Sequence, residues 1–425
     1  MVEKKSSTYV PRNSKFVLYI IIFFAFMPLF PSVAGGSQLH VNVIIAIVIP
    51  VILLISTKRK LSSASLYVVV LIFSTSQMLI LISSLFGKEQ VSVLDIQSIL
   101  RPTFMMALVI SFLSVLYEDA CRDIDSLYAS ISKGVCFIAI VCSMVAILEV
   151  FWHSEIFYAV IYNLFKREYK EAIRGASTTF FGTTYYSGYI GLICLLFVTA
   201  KFSSEKSLLS IFLIIMCSLW VILSQSKVIL FSFFASILLY NIIYKVKTAI
   251  YSLALFVIIA IFIILYWDMI ISIVDSIDNR FFNSLLKLLT NPDTSGTLQI
   301  RLAQISDAFE AVVKNWGIGV GPGRSMPMES WLATVLYRYG ILGIPWFLAL
   351  AFIAFFMNYL AMRRFDYYRK EARHYARALA VWAALLPVTQ LSSMMIETSK
   401  MMIFSMFAIS LSLINYSVSS KLKYG

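Results

Sequence analysis

The chain is divided into about twelve apolar stretches, each long enough to cross a lipid bilayer as a helix. A hydrocarbon core about 30 Å thick requires about 20 helical residues. Backbone that faces lipid must form helices or closed barrels, because its polar groups need internal partners. The stretches 16–30 and 211–223 lack the alternation of barrel strands. We therefore predict an all-α integral membrane protein with a single polytopic domain over residues 1–425.

Short connections separate the predicted spans, except at two places. Long polar loops run over 152–184 and 267–329, and both fall on the same side of the membrane when the spans are counted. The first apolar stretch leads directly into another, so we predict a retained signal anchor rather than a cleaved peptide. The apolar runs place the spans at 16–33, 39–56, 65–86, 99–117, 134–151, 185–200, 207–223, 228–244, 248–266, 330–360, 375–393 and 400–418. The span 330–360 is unusually long, which indicates either a tilted helix or an external helix followed by a span.

The distribution of basic residues predicts the orientation. The chain has 35 Lys and Arg residues and a formal net charge of +13. Most of these residues lie at the termini or in short loops on the same side, as cytoplasmic loops do. We therefore predict a bacterial inner-membrane protein with both termini in the cytoplasm and both long loops in the periplasm. This distribution also accounts for the charge without a nucleic-acid partner.

Cysteine and histidine form neither a metal-binding nor a disulfide pattern. None of the five cysteines lies in a long loop, and the three histidines are scattered along the sequence. We expect no zinc site, no disulfide framework and no cofactor.

The two loops supply the first candidate functional residues. In the first loop, apolar residues at helical spacing over 154–173 predict an amphipathic helix on the membrane. Arg174 follows it and either binds an anion or is simply solvated. The second loop carries Arg301, Arg324 and a turn with alternating glycines, namely Gly317, Gly319, Gly321 and Gly323. This spacing matches neither a P-loop nor a dinucleotide fingerprint. It predicts an extended, closely packed turn, whose backbone N–H groups either approach a phosphate or only redirect the chain.

Three further charged residues lie beside or within apolar sequence. Glu329 stands at the start of a predicted helix, where a carboxylate is favoured, and either it or Ser330 is expected to cap that helix. Lys227 lies at the outer junction of two spans, and Arg338 lies about two turns beyond Glu329. Charged residues at membrane depth usually face the bundle interior or a cavity. The alternative is that both basic side chains extend to the membrane surface.

These residues together predict a site for an anionic lipid-linked substrate. Arginine binds phosphate oxygens through its planar fork. A polyprenyl-diphosphate sugar has its diphosphate at the membrane surface and its tail in lipid. Basic residues there would stabilise the departing diphosphate, and a carboxylate would accept the proton of an attacking sugar hydroxyl.

The sequence resembles the bacterial O-antigen polymerase and ligase superfamily. The segment RLAQISDAFEAVVKNWGIGVGPG, followed by ESWLATVLYRYGILGIPWF, is similar to its arginine-led helix, glycine-rich turn and following span. RGASTTFFGTTYYSGYIGL is similar to the segment before its sixth span. SQSKVILF resembles its Ser-Arg-Gly element, with Lys227 where arginine is usual.

The resemblance implies a GT-C-like glycosyltransferase with about twelve spans and two large periplasmic loops. By this resemblance, Arg174, Lys227 and Arg301 would hold the diphosphate of an undecaprenyl-linked oligosaccharide. Arg324 and Arg338 are predicted to bind it as well, from their own places in the sequence. Glu329 occupies the position where the ligases carry a histidine, which favours the polymerase branch. Single displacement would invert the anomeric centre without a metal. Membrane lipids and a polysaccharide chain-length regulator are the expected partners.

Two alternatives remain open from the sequence. An O-antigen ligase would transfer finished glycan to lipid A core. A flippase or transporter for lipid-linked oligosaccharide would be expected to show internal repeats and broken central helices. The sequence shows no convincing repeat between its halves.

Overall fold

The computed structural model describes residues 12–28, 48, 63–92, 95–152, 164–165, 176–243, scattered positions between 250 and 272, 296–323 and 328–424. Two 3₁₀ turns, Gln390–Ser392 and Met395–Glu397, connect the last two helices. The described helices, numbered in chain order, are α1 Arg12–Phe26, α2 Ser63–Phe86, α3 Ile96–Ile99, α4 Arg101–Arg122, α5 Ile124–Phe151, α6 Thr184–Glu205, α7 Leu208–Leu223, α8 Lys227–Ile242, α9 Gly296–Val313, α10 Trp331–Tyr339, α11 Gly343–Tyr368, α12 Lys370–Thr389 and α13 Ser399–Tyr424.

The described part of the chain is all-helical and contains six helices that are long and apolar enough to cross a membrane. They are α2, α4, α5, α6, α11 and α13, and α1, α7 and α8 are shorter apolar helices. The prediction of an all-α fold is therefore confirmed, and these helices are compatible with a membrane protein. Each predicted span overlaps one described helix, except 330–360, which forms two, and 39–56 and 248–266, which lie mostly outside the described residues. The number of twelve spans stays a prediction.

Residues 330–360 form two helices rather than one long span. Gly340 ends α10 in the left-handed region, with φ 72°, and its N–H group donates to the carbonyl of Leu336. Ile341 then donates its N–H group to the carbonyl of Gly317, at 3.0 Å, so the glycine-rich turn fills the break. The segment therefore has the separate first helix of the second alternative, and the external location of that helix stays a prediction.

Helix α13 forms the axis of the bundle. It is almost entirely buried and packs against α4, α11 and other helices. Asn415 accepts a hydrogen bond from the Tyr128 hydroxyl at 2.6 Å and donates to the Oδ1 of Asn358 at 3.0 Å. Asn358 in turn donates to Ser412 at 2.7 Å. Such bonds between helices contribute to association in lipid, where apolar burial alone does little.

Several helix termini and both described loop segments meet at one end of the bundle, which we call the site end. Ser177, in the first loop, donates its N–H group to the carbonyl of Leu223 at the end of α7. Glu89, just after α2, donates its N–H group to the carbonyl of Val320 in the second loop. The start of α4 and the segment between α12 and α13 lie there too, since Arg101 binds Glu397.

Candidate anion-binding site at the end of the bundle

Helix α9 packs lengthwise on α10 and thereby positions the residues of the second loop. Ala308 and Val312 of α9 are fully buried against Ala333 and Leu336 of α10. The hydroxyl oxygen of Ser330 accepts a hydrogen bond from the N–H group of Ala333 at 3.2 Å, so Ser330 is the residue that caps α10. Glu329 is therefore left available for other contacts.

Glu329 pairs with Arg301 across the α9–α10 contact. The Arg301 Nε lies 3.6 Å from the Glu329 Oε2, and 53% of the Glu329 side chain is exposed. The N–H group of Glu329 donates to the Oε1 of Gln304, one turn along α9. Arg301 also lies close enough to Lys227, at the start of α8, for the two positive charges to repel each other. Three of the predicted site residues are thus brought together.

Arg338 belongs to a second, more deeply buried group. The Oε2 of Glu397 accepts hydrogen bonds from both Arg338 and Arg101, the latter at 2.7 Å. The Oε1 of Glu397 accepts the Tyr339 hydroxyl at 2.7 Å, and the Glu397 side chain is only 2% exposed. Arg338 and Glu329 do not form an ion pair in the structure, in agreement with their spacing on the helix.

The charge on Glu397 is stabilised by these partners. Burial alone would raise the pKa of Glu397, but the positive charges of Arg338 and Arg101, together with the Tyr339 hydrogen bond, lower the pKa below its ordinary value. The carboxylate is therefore ionised at neutral pH and holds the two guanidinium groups in place.

Two tyrosines at the start of α6 lie beside the connection that carries Glu397. The rings of Tyr185 and Tyr186 meet edge to face, with 4.6 Å between their centroids. The Tyr186 hydroxyl oxygen lies 3.5 Å from the hydroxyl oxygen of Ser393, four residues before Glu397. We call Arg101, Lys227, Arg301 and Arg338 the basic cluster.

Two guanidinium groups of the basic cluster have unused donors. The Nε atoms of Arg301 and Arg338 are buried, and neither has a hydrogen-bond partner within the described part of the chain. A Cβ placed on Gly323 would lie 2.9 Å from the Arg338 Nε, so the glycine leaves space beside that donor. Buried donors of this kind are costly unless a partner is supplied. An anion that entered here would supply one.

The glycine-rich turn is closely packed. Gly317, Gly321 and Gly323 have positive φ angles, and a Cβ on Gly319 would lie 2.8 Å from the Arg338 carbonyl. The N–H groups of Gly317 and Gly323 already donate inside the protein, to the Val312 carbonyl and to the Glu89 Oε2. The glycines therefore serve close packing around Arg338, and at these two positions the N–H groups are not available to a phosphate.

The first-loop segment 176–183 is held by two buried charges. The Oε2 of Glu149 accepts hydrogen bonds from the N–H groups of Thr178 and Thr179, at 2.9 and 2.8 Å. The Nζ of Lys400 donates to the Phe180 carbonyl at 2.8 Å. Arg174, Arg324 and the predicted amphipathic helix over 154–173 lie outside the described residues, apart from 164–165. Their positions stay predictions.

Sequence reasoning missed Arg101, Glu397, Glu149 and Lys400. A signal was present for three of them, since Arg101, Glu149 and Lys400 each lie within a predicted apolar span and ionisable residues there are candidates for function. No such signal marks Glu397 in its short connection. Within the described ranges, no group of three or more histidine, cysteine or carboxylate side chains is arranged to hold a metal.

The site end thus combines partly buried basic side chains, two of them with an Nε atom that makes no hydrogen bond among the described residues, with the half-exposed carboxylate of Glu329. Comparison of the chain with protein-family models and with curated protein sequences gave no match.

Proposed function

We propose that this protein is a membrane glycosyltransferase that polymerises a surface polysaccharide of the O-antigen type. It would transfer the growing glycan from undecaprenyl diphosphate to the sugar of a second lipid-linked repeat unit. The observation that carries this proposal is the basic cluster, with two buried guanidinium Nε atoms that make no hydrogen bond among the described residues, at the end of an apolar helical bundle. The proposal also includes an inner-membrane location with the site end in the periplasm.

A lipid diphosphate suits the site because of its charge and its place in the membrane. Among the described residues, four cations of the basic cluster lie at the site end with the carboxylates Glu329, Glu397 and Glu89. The diphosphate of such a lipid lies at the bilayer surface, where the helices end, and its tail remains in the hydrocarbon region. Arginine is well suited to the phosphate oxygens, since its donors form a rigid fork.

In the proposed reaction, a hydroxyl of the acceptor sugar attacks the anomeric carbon of the donor. The bond from that carbon to the phosphate oxygen breaks, and the diphosphate leaves with the bonding electrons. The basic cluster stabilises the charge that develops on it, and Glu329 accepts the hydroxyl proton. A single displacement of this kind inverts the anomeric configuration.

The contact between Arg301 and Glu329 couples donor binding to the base. The two side chains form an ion pair at 3.6 Å. A diphosphate that binds Arg301 competes with Glu329 for the guanidinium, and the carboxylate is then released toward the acceptor. Glu329 is half-exposed, which leaves room for the acceptor sugar.

The test uses a strain that lacks the gene and is complemented with either the wild-type protein or Glu329→Gln. The surface glycans of the two complemented strains are separated on a gel and compared. We expect wild-type protein to restore a ladder of chain lengths. We expect Glu329→Gln to leave core bearing a single repeat unit, because the amide cannot accept the proton. The amount of inserted variant, measured by immunoblot of membranes, must equal that of the wild type.

Glu310→Gln is the matched control. Glu310 is an exposed carboxylate of α9 that pairs with Lys314 and has no place in the proposed chemistry, so this variant should give a normal ladder. A normal ladder with Glu329→Gln would remove Glu329 from the role of base. Polymer that accumulates on undecaprenyl diphosphate in the deletion strain would indicate a ligase instead. Lipid-linked single repeat units that remain on the cytoplasmic side of the membrane would indicate a flippase.

A further inference from the structure

Helix α9 carries a row of large apolar side chains that the described part of the chain leaves exposed. Leu302, Phe309 and Val313 are 57%, 53% and 55% exposed. They recur at intervals of seven and four residues and so lie along one side of the helix, with the small exposed Ser306 between the first two. Trp316, just beyond the helix, is 93% exposed. Such a row differs from the single exposed apolar residues that are common on protein surfaces.

The circumference of α9 is divided into three faces. One packs on α10 through Ile305, Ala308 and Val312. A second carries the exposed charged residues Asp307, Glu310 and Lys314. The apolar row lies between these two faces, by the helical spacing of its residues. We therefore expect the first face of α9 to contact protein, the charged face to contact water and the apolar row to contact an apolar medium.

The apolar row leads into the lipid-facing surface of the bundle. Trp316 is followed by Gly317, whose carbonyl accepts the N–H group of Ile341 at 3.0 Å. Ile341 and Leu342 are exposed and lead directly into α11, a helix long and apolar enough to span the membrane. The outward residues of α11, such as Phe352, are likewise exposed. The row on α9 thus leads, through Trp316 and Ile341, to the exposed apolar surface of a candidate membrane span.

We propose that α9 is an interfacial helix whose Leu302, Phe309 and Val313 side chains insert into the lipid acyl chains at the site end. An amphipathic helix of this kind buries its apolar face about 5–10 Å into the boundary between headgroups and acyl chains. Lipid contact would fix the height of α9 relative to the bilayer, and with it the height of Arg301, which lies next to Leu302 in the helix. This inference concerns the position of the helix and does not depend on the proposed reaction.

The test is spin labelling of the full-length protein in vesicles of phosphatidylethanolamine and phosphatidylglycerol. Nitroxides are attached singly to Leu302→Cys, Phe309→Cys and Val313→Cys, after replacement of the exposed Cys121 and the half-buried Cys136 by serine. Collision of each label with oxygen, which concentrates in lipid, is compared with collision with a water-soluble nickel chelate. Asp307→Cys and Glu310→Cys on the same helix are the matched aqueous controls, and Phe352→Cys is the lipid control.

We expect the logarithm of the oxygen-to-nickel accessibility ratio to be positive at all three apolar positions, as at position 352, and negative at 307 and 310. High nickel accessibility at 302, 309 and 313 would overturn the proposal, because the row would then face water. Low accessibility to both reagents would also overturn it, since a second copy of the chain or another protein segment would then cover the row.

Discussion

Glu397 binds two arginines at once, so its replacement has a larger effect than the loss of an ordinary surface pair. Glu397→Gln would leave Arg101 and Arg338 buried without their shared counter-charge. Removal of one partner from a buried ion pair typically costs about 3 kcal/mol of stability. We expect a clear fall in the thermal unfolding midpoint of the detergent-solubilised protein. Glu118→Gln, which removes an exposed i,i+4 pair with Arg122, should leave the midpoint unchanged, and equal midpoints for both variants would contradict this.

The same carboxylate predicts a pH dependence of stability. Because the pKa of Glu397 is lower in the folded protein than its ordinary value of 4.5, its contribution is fully present above that value. The contribution is lost as the pH falls through 4.5 toward the lower folded pKa. We therefore expect the unfolding midpoint of the wild type to fall over this acidic range by more than that of Glu397→Gln. Parallel curves for the two proteins would show that Glu397 is not ionised in the fold.

At this scale the sequence predicts candidate residues better than it predicts their partners. Glu329, Lys227 and Arg301 could be selected from their types and places in the chain, and the structure brings them together. That Arg338 pairs with Glu397 could not be inferred, because the two residues are far apart in sequence. Their contact depends on how α10 packs against the connection between α12 and α13.

Among the elements, the glycine-rich turn leaves no space for a larger residue at Gly319. A Cβ on Gly319 would lie 2.8 Å from the carbonyl of Arg338, which is backbone and cannot move aside cheaply. We expect Gly319→Ala to shift Arg338 and to abolish the polysaccharide ladder, with less protein recovered from membranes.

Gly317→Asn is the control for this substitution. Gly317 has φ 79°, which asparagine tolerates better than most residues, and an added Cβ would meet only the Ile341 side chain at 3.4 Å. We expect this variant to retain most of its activity. Retained activity in Gly319→Ala would show that the close approach of the turn to Arg338 is dispensable.

The elements themselves follow largely from apolar run length, but the division of 330–360 does not. The length of that run indicated that it does not form one straight span, but it did not show where the helix breaks. The break occurs at Gly340, where Ile341 reaches the carbonyl of Gly317. A contact between two segments that distant in sequence leaves no trace in the local apolar pattern.

At the scale of the whole molecule, the proposed orientation places Cys121 and Glu310 on opposite sides of the membrane. Helix α4 runs from Arg101, at the site end, to Arg122, and its 22 residues extend about 33 Å at 1.5 Å per residue. Cys121 is exposed at the far end, and Glu310 is exposed on α9 near the site end.

In intact spheroplasts, a membrane-impermeant maleimide should label Glu310→Cys, made in a Cys121→Ser background, and should not label Cys121 of the wild type. Disruption of the spheroplasts should make Cys121 reactive as well. Labelling of Cys121 before disruption would reverse the orientation inferred from the basic residues.

The central position of α13 has a consequence for synthesis of the protein. Because α13 follows every other described helix in the chain, the ribosome produces it after them. Tyr128 and Asn358 therefore enter the membrane before Asn415, to which both are hydrogen-bonded in the finished fold. Until then, their polar groups lie in or near lipid without these partners, which favours provisional pairing among the early helices. The helix at the centre of the bundle is thus the last described helix to be inserted. The earlier helices must remain loosely associated until then.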